Sequence, residues 1–380
     1  MILLVRKIRS NGDNNMIVLN LKLDGIYGFE DFKINFTYPK KLVNSFIENE
    51  HLSGREKFRY KKAVVLMGAN ATGKTSLART LHSIFNLFEF GFTNDLLEMC
   101  TKNKSYFQID FVNNDYILHR YEGTIDLNDL SYYFNEYASF IGVNDSYEMC
   151  VSKLQIVEDN DTYSFSHNGL NEKINYCFSY PDAKKHRNTK TIDQDSLLKT
   201  LQAVLRTLDP SIENVSISND LKNSFIVKRK ETEIVIQNGV PLNNSVLSSG
   251  TVDGIDISML LASMMDNEPC FYYCDERFSY VHSDIEKRIF GIMLDHLGPD
   301  SQIIFTTHNT DMLDLNLPKH TYMFLRKKEE NGAYNISVSS GNDILKRNTD
   351  SIRRAVENDV FSSLPDDSLL DELDMGWNND

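Results

Sequence analysis

The sequence has no long apolar run. Nothing in it approaches the roughly 18 consecutive apolar residues that a membrane-spanning helix needs, so no transmembrane segment is expected. Its first residues, Met1-Ile2-Leu3-Leu4-Val5-Arg6-Lys7, place their charges after a short apolar stretch, whereas a secretory leader has the opposite order and a longer core. Cysteine is scarce. The five present (Cys100, Cys150, Cys177, Cys270, Cys274) are odd in number and contain no CxxC pair, which argues against a disulfide framework. Cys270 and Cys274 lie four apart in an apolar segment and read as core residues before metal ligands. A reduced cytoplasm is the simplest setting. There is no internal repeat, and no heptad run long enough for a coiled coil.

Positive charge is also in short supply. Lys and Arg total 40 against 54 Asp and Glu, a net charge of −14, so the chain is not a general polyanion binder. A DNA partner is not indicated by charge but stays open, because a local basic groove can act against the overall sign. Three runs could form one: Lys184-Lys185-His186-Arg187, Lys228-Arg229-Lys230 and Arg326-Lys327-Lys328. Each reads first as a solvated loop or strand end. What is present is a chain of 380 residues, 41% hydrophobic and 25% charged. That suffices for one large α/β domain with an insertion, or for two domains with an ordinary core.

The most informative stretch is Gly68-Ala69-Asn70-Ala71-Thr72-Gly73-Lys74-Thr75, which fits G-x-x-x-x-G-K-[ST]. Ala63 to Met67 before it reads as a short buried strand. Ser76 to Leu81 after it opens a helix, so the context is the one a phosphate-binding loop requires. Backbone N–H groups from Asn70, Ala71 and Thr72 through Ser76 can wrap phosphates, and the helix N-terminus adds positive potential. Gly68 and Gly73 permit the turn. Lys74 can reach the β- and γ-phosphates of ATP, and the Thr75 hydroxyl can ligate Mg²⁺. A GTPase is disfavoured, because no N-K-x-D guanine motif is present: Lys104 follows Asn103, but Tyr106 stands where the Asp should be.

Further along, Met16–Leu23 and Phe32–Phe36 alternate apolar and polar residues and predict a hairpin ahead of the loop. Residues 41–60 read as a polar surface excursion. The periodicity predicts a helix from Ser76 to about Phe90. Tyr106–Phe111 and Tyr116–Tyr121 predict a second hairpin, which Val151–Ile156 and Thr162–Ser166 could extend. Pro181–Asp195 reads as a polar loop, and Ser196–Leu208 as a helix stopped by Asp209-Pro210. Strands are expected at Val215–Ser218 and Glu233–Gln237.

Phe271-Tyr272-Tyr273-Cys274-Asp275-Glu276 is an apolar strand ending in two carboxylates. After a phosphate loop, Asp275 is placed to hold Mg²⁺ and Glu276 to polarise the attacking water. Leu247-Ser248-Ser249-Gly250 precedes an apolar helix, Ile255–Met265, and lies between the phosphate loop and the carboxylate pair. Gln302 to Asn309 is a further apolar strand that ends in Thr306-Thr307-His308.

Together, Gly68–Thr75, Leu247–Gly250, Asp275-Glu276 and Thr306-Thr307-His308 resemble the head domain of the SMC/RecF branch of ABC ATPases. The Glu276–His282 segment is similar to the D-loop of the OLD-like and abortive-infection proteins usually described as AAA family ATPases. It has one residue fewer before Ser279, and Val281 in place of Leu. The resemblance covers roughly 16–100 and 195–340. It implies an α/β fold: a P-loop NTPase head of the ABC type, with an N-terminal antiparallel β-subdomain and an inserted subdomain. The implied boundaries are 1–100 with 195–345 for the head, 101–194 for the insertion, and 346–380 for a C-terminal helix and acidic tail.

It also implies that Ser248 and Gly250 touch the γ-phosphate held by a second copy, and that His308 senses that phosphate. Gln108 is a candidate for the Q-loop glutamine of that class. The implied function is an ATPase that forms a homodimer or higher homo-oligomer on ATP and controls a separately encoded effector in phage defence. A RecF/SMC-like DNA repair or maintenance ATPase is the first alternative. A transporter ATPase subunit fits the Leu247–Thr251 and Glu276–His282 segments less well. Only 72 residues (380 − 308) follow His308, which is short for a Toprim nuclease domain, so a stand-alone ATPase is expected. Its acidic end, Asp366–Asp374, interleaves Leu369, Leu370 and Leu373 and precedes Trp377, and reads equally as a solvated tail or a partner-docking helix.

Overall fold

The computed structural model describes residues 16–40, 45–91, 94–113, 116–164, 174–180, 187–188, 191–230, 232–243, 247–330, 332–347 and 350–362. The N-terminal stretch 1–7, most of the basic run 184–187 and the acidic end 366–374 lie outside these residues.

In chain order the first strands are β1 (Ile17–Asp24), β2 (Phe32–Asn35), β3 (His51–Leu52), β4 (Arg55–Arg59) and β5 (Ala63–Met67). Helices α1 (Lys74–Phe90) and α2 (Asn94–Glu98) follow, then β6 (Lys104–Val112), β7 (Ile117–Asp126) and β8 (Ser131–Phe140). A short helix α3 (Tyr147–Val151) leads to β9 (Gln155–Ser164), β10 (Tyr176–Ser179) and β11 (Arg187–Asn188). Helix α4 (Gln194–Leu208) precedes β12 (Ile212–Ile217), β13 (Ser224–Arg229), β14 (Thr232–Gln237) and β15 (Val240–Pro241). Next come α5 (Ser249–Met264), β16 (Phe271–Asp275), α6 (Ser283–Asp295) and β17 (Gln302–Thr306). The chain closes with β18 (Tyr322–Glu330), β19 (Ala333–Ser340), α7 (Gly341–Ile344) and α8 (Ile352–Glu357).

The central sheet has the order β11-β10-β16-β17-β5-β18-β19. Its five inner strands are parallel, with β11 and β19 antiparallel at the two edges. Parallel strands covered on both faces read as continuous apolar runs, and β5 and β16 are buried at every position. Alternation still assigns each side chain to a face. Val64, Leu66, Tyr273 and Ile304 enter one core, around α1. Ala63, Val65, Met67, Tyr272 and Phe305 enter the other, against Leu260 and Leu261 of α5 and Phe290 and Met293 of α6.

A second, antiparallel sheet runs β2-β1-β6-β7-β8-β9. Leu21 and Phe32 from its first hairpin, with Phe107, Ile109 and Tyr121, pack in the same core as Leu77, Leu81, Phe85 and Phe88 of α1. The helix that follows the phosphate loop is therefore held between two sheets. On its covered side the Tyr176 hydroxyl donates to Asn86 Oδ1 at 2.9 Å.

The segment 101–194, set apart in the sequence as an inserted subdomain, supplies β6–β9 to the sheet begun by the N-terminal hairpin and β10 to the central sheet. Leu21 pairs with Ile109 in that first sheet. Two local expectations change. Val151, expected to open a strand running to Ile156, instead ends α3, whose Ser146 cap accepts from Met149 N, and strand structure begins only at Gln155. The excursion at 41–60 contains the small ribbon β3–β4. A four-stranded sheet, β12–β15, covers α4 through Val215, Phe225 and Ile234, which meet Leu201 and Leu205. Among the described residues no helix is long and apolar enough to cross a membrane.

Candidate active site

Strand β5 delivers the chain into the loop that starts at Gly68. Two residues in that loop, Ala71 (φ 62°) and Gly73 (φ 101°), are left-handed. Left-handed residues at this spacing curl the backbone so that successive N–H groups face a common hollow. Gly73 then stands at the N-terminus of α1 without a side-chain cap, which leaves the helix's first N–H groups facing the hollow. The Thr72 hydroxyl donates to Ala69 O at 2.8 Å and stiffens the turn. Lys74, only 4% exposed, donates to Gly68 O at 2.7 Å and Ala69 O at 3.1 Å. Asn70, Ala71, Gly73, Lys74, Thr75 and Ser76 line a cleft of about 600 Å³, together with Glu276.

The carboxyl ends of β5, β16 and β17 meet at this cleft, the edge where open parallel sheets bind ligands. Asp275, at the end of β16, is fully buried. Its Oδ2 accepts from Thr75 Oγ1 at 2.6 Å and its Oδ1 from Thr306 Oγ1 at 2.6 Å. Burial raises the Asp275 pKa, and the two hydroxyls oppose that shift. Among the described residues no cluster of three or more His, Cys, Asp or Glu side chains could hold a metal by itself. Thr75 and Asp275 instead offer one hydroxyl and one carboxylate, hard oxygen donors that suit magnesium when phosphate oxygens and waters complete its shell.

Glu276 takes the next position with φ 49°, a left-handed conformation that is costly for a side chain of this size. Its backbone N–H is held by Thr306 Oγ1 at 3.1 Å. Its Oε1 lies 2.8 Å from His308 Nε2 and 3.3 Å from Lys74 Nζ. The hydrogen bond from His308 holds the Glu276 carboxyl below its ordinary value, with Lys74 adding to the effect. Burial lowers the Lys74 pKa, and Glu276 opposes that shift. Past β17, Thr307 Oγ1 and Asn309 Nδ2 donate to the two oxygens of Glu286 on α6, at 2.7 and 2.6 Å, which steadies the turn that carries His308. A second hollow of about 370 Å³, lined by Glu276, Ser279, Thr307 and His308, opens beside the carboxylate.

Ser248 and Gly250 sit apart from this group. Ser248 is exposed at the N-cap of α5, and its Oγ accepts from Thr251 N at 3.2 Å. A Cβ on Gly250 would come within 2.9 Å of Tyr280 O, so this turn closes against the segment after Glu276. Neither residue lines the cleft of the same chain.

Gln108 is not at the site. It lies on β6, where its Oε1 accepts from Lys22 Nζ at 3.0 Å. Sequence reasoning gave Thr306 no role of its own, although it bridges Asp275 and Glu276 N. It also missed Tyr27 and Thr101, which line the cleft, and it weighed Lys327 only as part of a basic run. Only the pairing of β18 with β5 brings Lys327 near the loop, and no local pattern encodes that pairing.

A phosphate-type loop after β5, carboxylates at the end of β16 and a histidine past the end of β17, the strand between those two, define a P-loop ATPase head. The chain belongs to the family described as "AAA domain, putative AbiEii toxin, Type IV TA system", whose model matches residues 63–314. No curated protein matches it. Among solved structures it is similar to an SMC head bound to the C-winged helix domain of ScpA: 12% identity, 86% of this chain and 99% of that one, TM-score 0.49. It is also similar to the recombination mediator protein RecF with ATP: 11% identity, 85% and 99% coverage, TM-score 0.44.

Proposed function

We propose that this protein binds ATP with Mg²⁺ in the cleft beneath the Gly68–Gly73 loop and hydrolyses it. The observation that carries this reading is the meeting of Lys74, Thr75, Asp275, Glu276 and His308 at three adjacent strand ends. Lys74 exchanges its bonds to Gly68 O and Ala69 O for phosphate oxygens. Thr75 and Asp275 would hold Mg²⁺, which when bound neutralises charge on the β- and γ-phosphates. Glu276, kept ionised by His308, orients water for in-line attack and accepts its proton. Ser248 and Gly250 complete the site of a second copy, because they stand at a helix end that does not line their own cleft, and such an end suits a phosphate. The resulting ATP-linked dimer governs a separately encoded effector in phage defence, a reading to which the family description adds a putative toxin and a type IV TA system.

The test is equilibrium binding of labelled ATP with Mg²⁺, together with phosphate release. Lys74→Ala should abolish binding by removing a charge-assisted contact. Glu276→Gln should keep binding and lose turnover by about 10²- to 10⁴-fold, the usual contribution of a general base. Wild-type binding by Lys74→Ala would overturn the reading.

A further inference from the structure

The residue after Glu276 is an arginine, and it is only 5% exposed. Arg277 Nε donates to Ser179 Oγ at 2.9 Å, and Nη2 donates to Tyr180 O at 2.6 Å. Nη2 also lies 2.8 Å from Asp256 Oδ2, and Nη1 lies 3.4 Å from Asp253 Oδ1. These acceptors come from two elements besides its own. Ser179 and Tyr180 mark the end of β10, the parallel strand beside β16. Asp253 and Asp256 lie on neighbouring turns of α5, the helix that Ser248 caps. Tyr180 extends the linkage to α1: its ring lies beneath Arg79 with 5.9 Å from Cζ to centroid, and its hydroxyl is 3.2 Å from His82 Nδ1.

Stability alone does not account for this arrangement. A buried ion cluster contributes little to stability compared with apolar packing of the same shape, and it is costly when one partner is lost. What such a cluster does well is fix geometry, because the planar guanidinium fork has few alternative ways to satisfy its donors. Burial also pushes the Asp253 carboxyl up to about 6, and Arg277 opposes that shift. The residue before it is the left-handed Glu276.

We propose that Arg277 is a positioning residue that couples the Ser248–Gly250 end of α5 to the carboxylate of Glu276, so that phosphate contact at one helix end sets the catalytic base of the same chain. The proposal rests on the ATPase reading above. Arg277 does not touch nucleotide. Loss of its fork lets α5 and the β16 end move independently, while the phosphate loop stays intact.

The experiment uses the full chain and measures ATP affinity, ATP-dependent mass and steady-state turnover for wild type, Arg277→Gln, Arg277→Lys and Asp256→Asn. Arg277→Gln should bind ATP within about threefold of wild type and still change mass with ATP, while kcat falls about 100-fold, the scale of a misplaced catalytic group. Arg277→Lys should recover part of kcat, because it keeps the charge without the fork. Asp256→Asn should lower kcat as well, and the double variant should be no slower than Arg277→Gln, as expected for two residues in one network. Turnover by Arg277→Gln at the wild-type rate would overturn the proposal. So would a parallel loss of affinity, melting temperature and kcat, which is what a purely structural role produces. If Arg277→Gln does not fold, Arg277→Gln/Asp253→Asn/Asp256→Asn removes all three charges together. Retained ATP binding with lost kcat in that variant supports the proposal, and wild-type kcat overturns it. A wild-type protein without ATPase activity would remove the ATPase reading itself, and the proposal with it. An active wild type with an equally active Arg277→Gln would remove the proposal alone.

Discussion

At the scale of single residues, the site depends on how few partners share one carboxylate. Glu276 is held by His308 and Lys74 at once, and both favour its charged form. Removing the imidazole should let its pKa rise toward the usual value near 4.5. The acidic limb of the pH–rate profile for His308→Ala should therefore move to higher pH, on whatever turnover remains. A limb that stays in place would assign that ionisation to another group. Lys61 offers an independent check on buried charge. It is 4% exposed, donates to Ser340 Oγ at 3.1 Å, and burial lowers its pKa to about 8. The unfolded lysine holds its proton up to about 10.4. Below pH 8 the fold thus carries a buried charge that costs at most about 3 kcal/mol, and this cost fades as pH rises through 8 toward 10.4. Lys61→Met should melt above wild type at pH 7, with a difference that shrinks across that window. A difference independent of pH would mean that packing, not charge, sets it.

At the scale of elements, the α5 N-terminus separates two roles that one serine could fill. Ser248→Ala removes a cap and should cost about 1 kcal/mol of stability. Ser248→Arg should also block approach of a second copy while leaving nucleotide binding in its own chain intact. Comparing the two by thermal melting and turnover distinguishes a cap from a contact. The same scale shows what was legible in the sequence. Gly68–Thr75 could be read because a loop between strand and helix is a local pattern, and β5 spans the residues that its apolar run predicts. The β16 and β17 ends were legible for the same reason. Strand β8 was not, since Ser131–Phe140 mixes aromatic and polar residues that only its pairing with β7 sorts into faces. β10 is four residues long and follows a polar stretch, so periodicity had too little to act on. The union of the first hairpin with β6 is a choice of partner, which alternation does not specify.

At the scale of the whole molecule, the proposed dimer is the claim most open to test. On the Glu276→Gln background, ATP should raise the mass seen by light scattering, and Ser248→Arg should abolish that rise. If the protein is oligomeric without nucleotide, mixing Lys74→Ala with Ser248→Arg chains should restore partial activity, because one composite site per heterodimer stays intact. The central sheet has a further consequence, for the order in which the molecule is made. Strand β5 pairs on one side with β17 and on the other with β18, and neither exists until long after Met67 has left the ribosome. From Met67 to Tyr322 the ribosome adds 255 residues (322 − 67), which at ~5–20 residues per second takes roughly 13 to 50 s. Until β17 is made both edges of an apolar strand wait for partners, and one edge waits until β18 follows; such edges recruit other chains. The Gln302 side chain, which bonds to both N and O of Val18, is an equally late link to the first strand. A fragment ending at residue 300 should therefore carry the whole phosphate loop, bind no ATP and precipitate. Nascent chains should need shielding for most of their synthesis, and incomplete products should be unable to spend ATP.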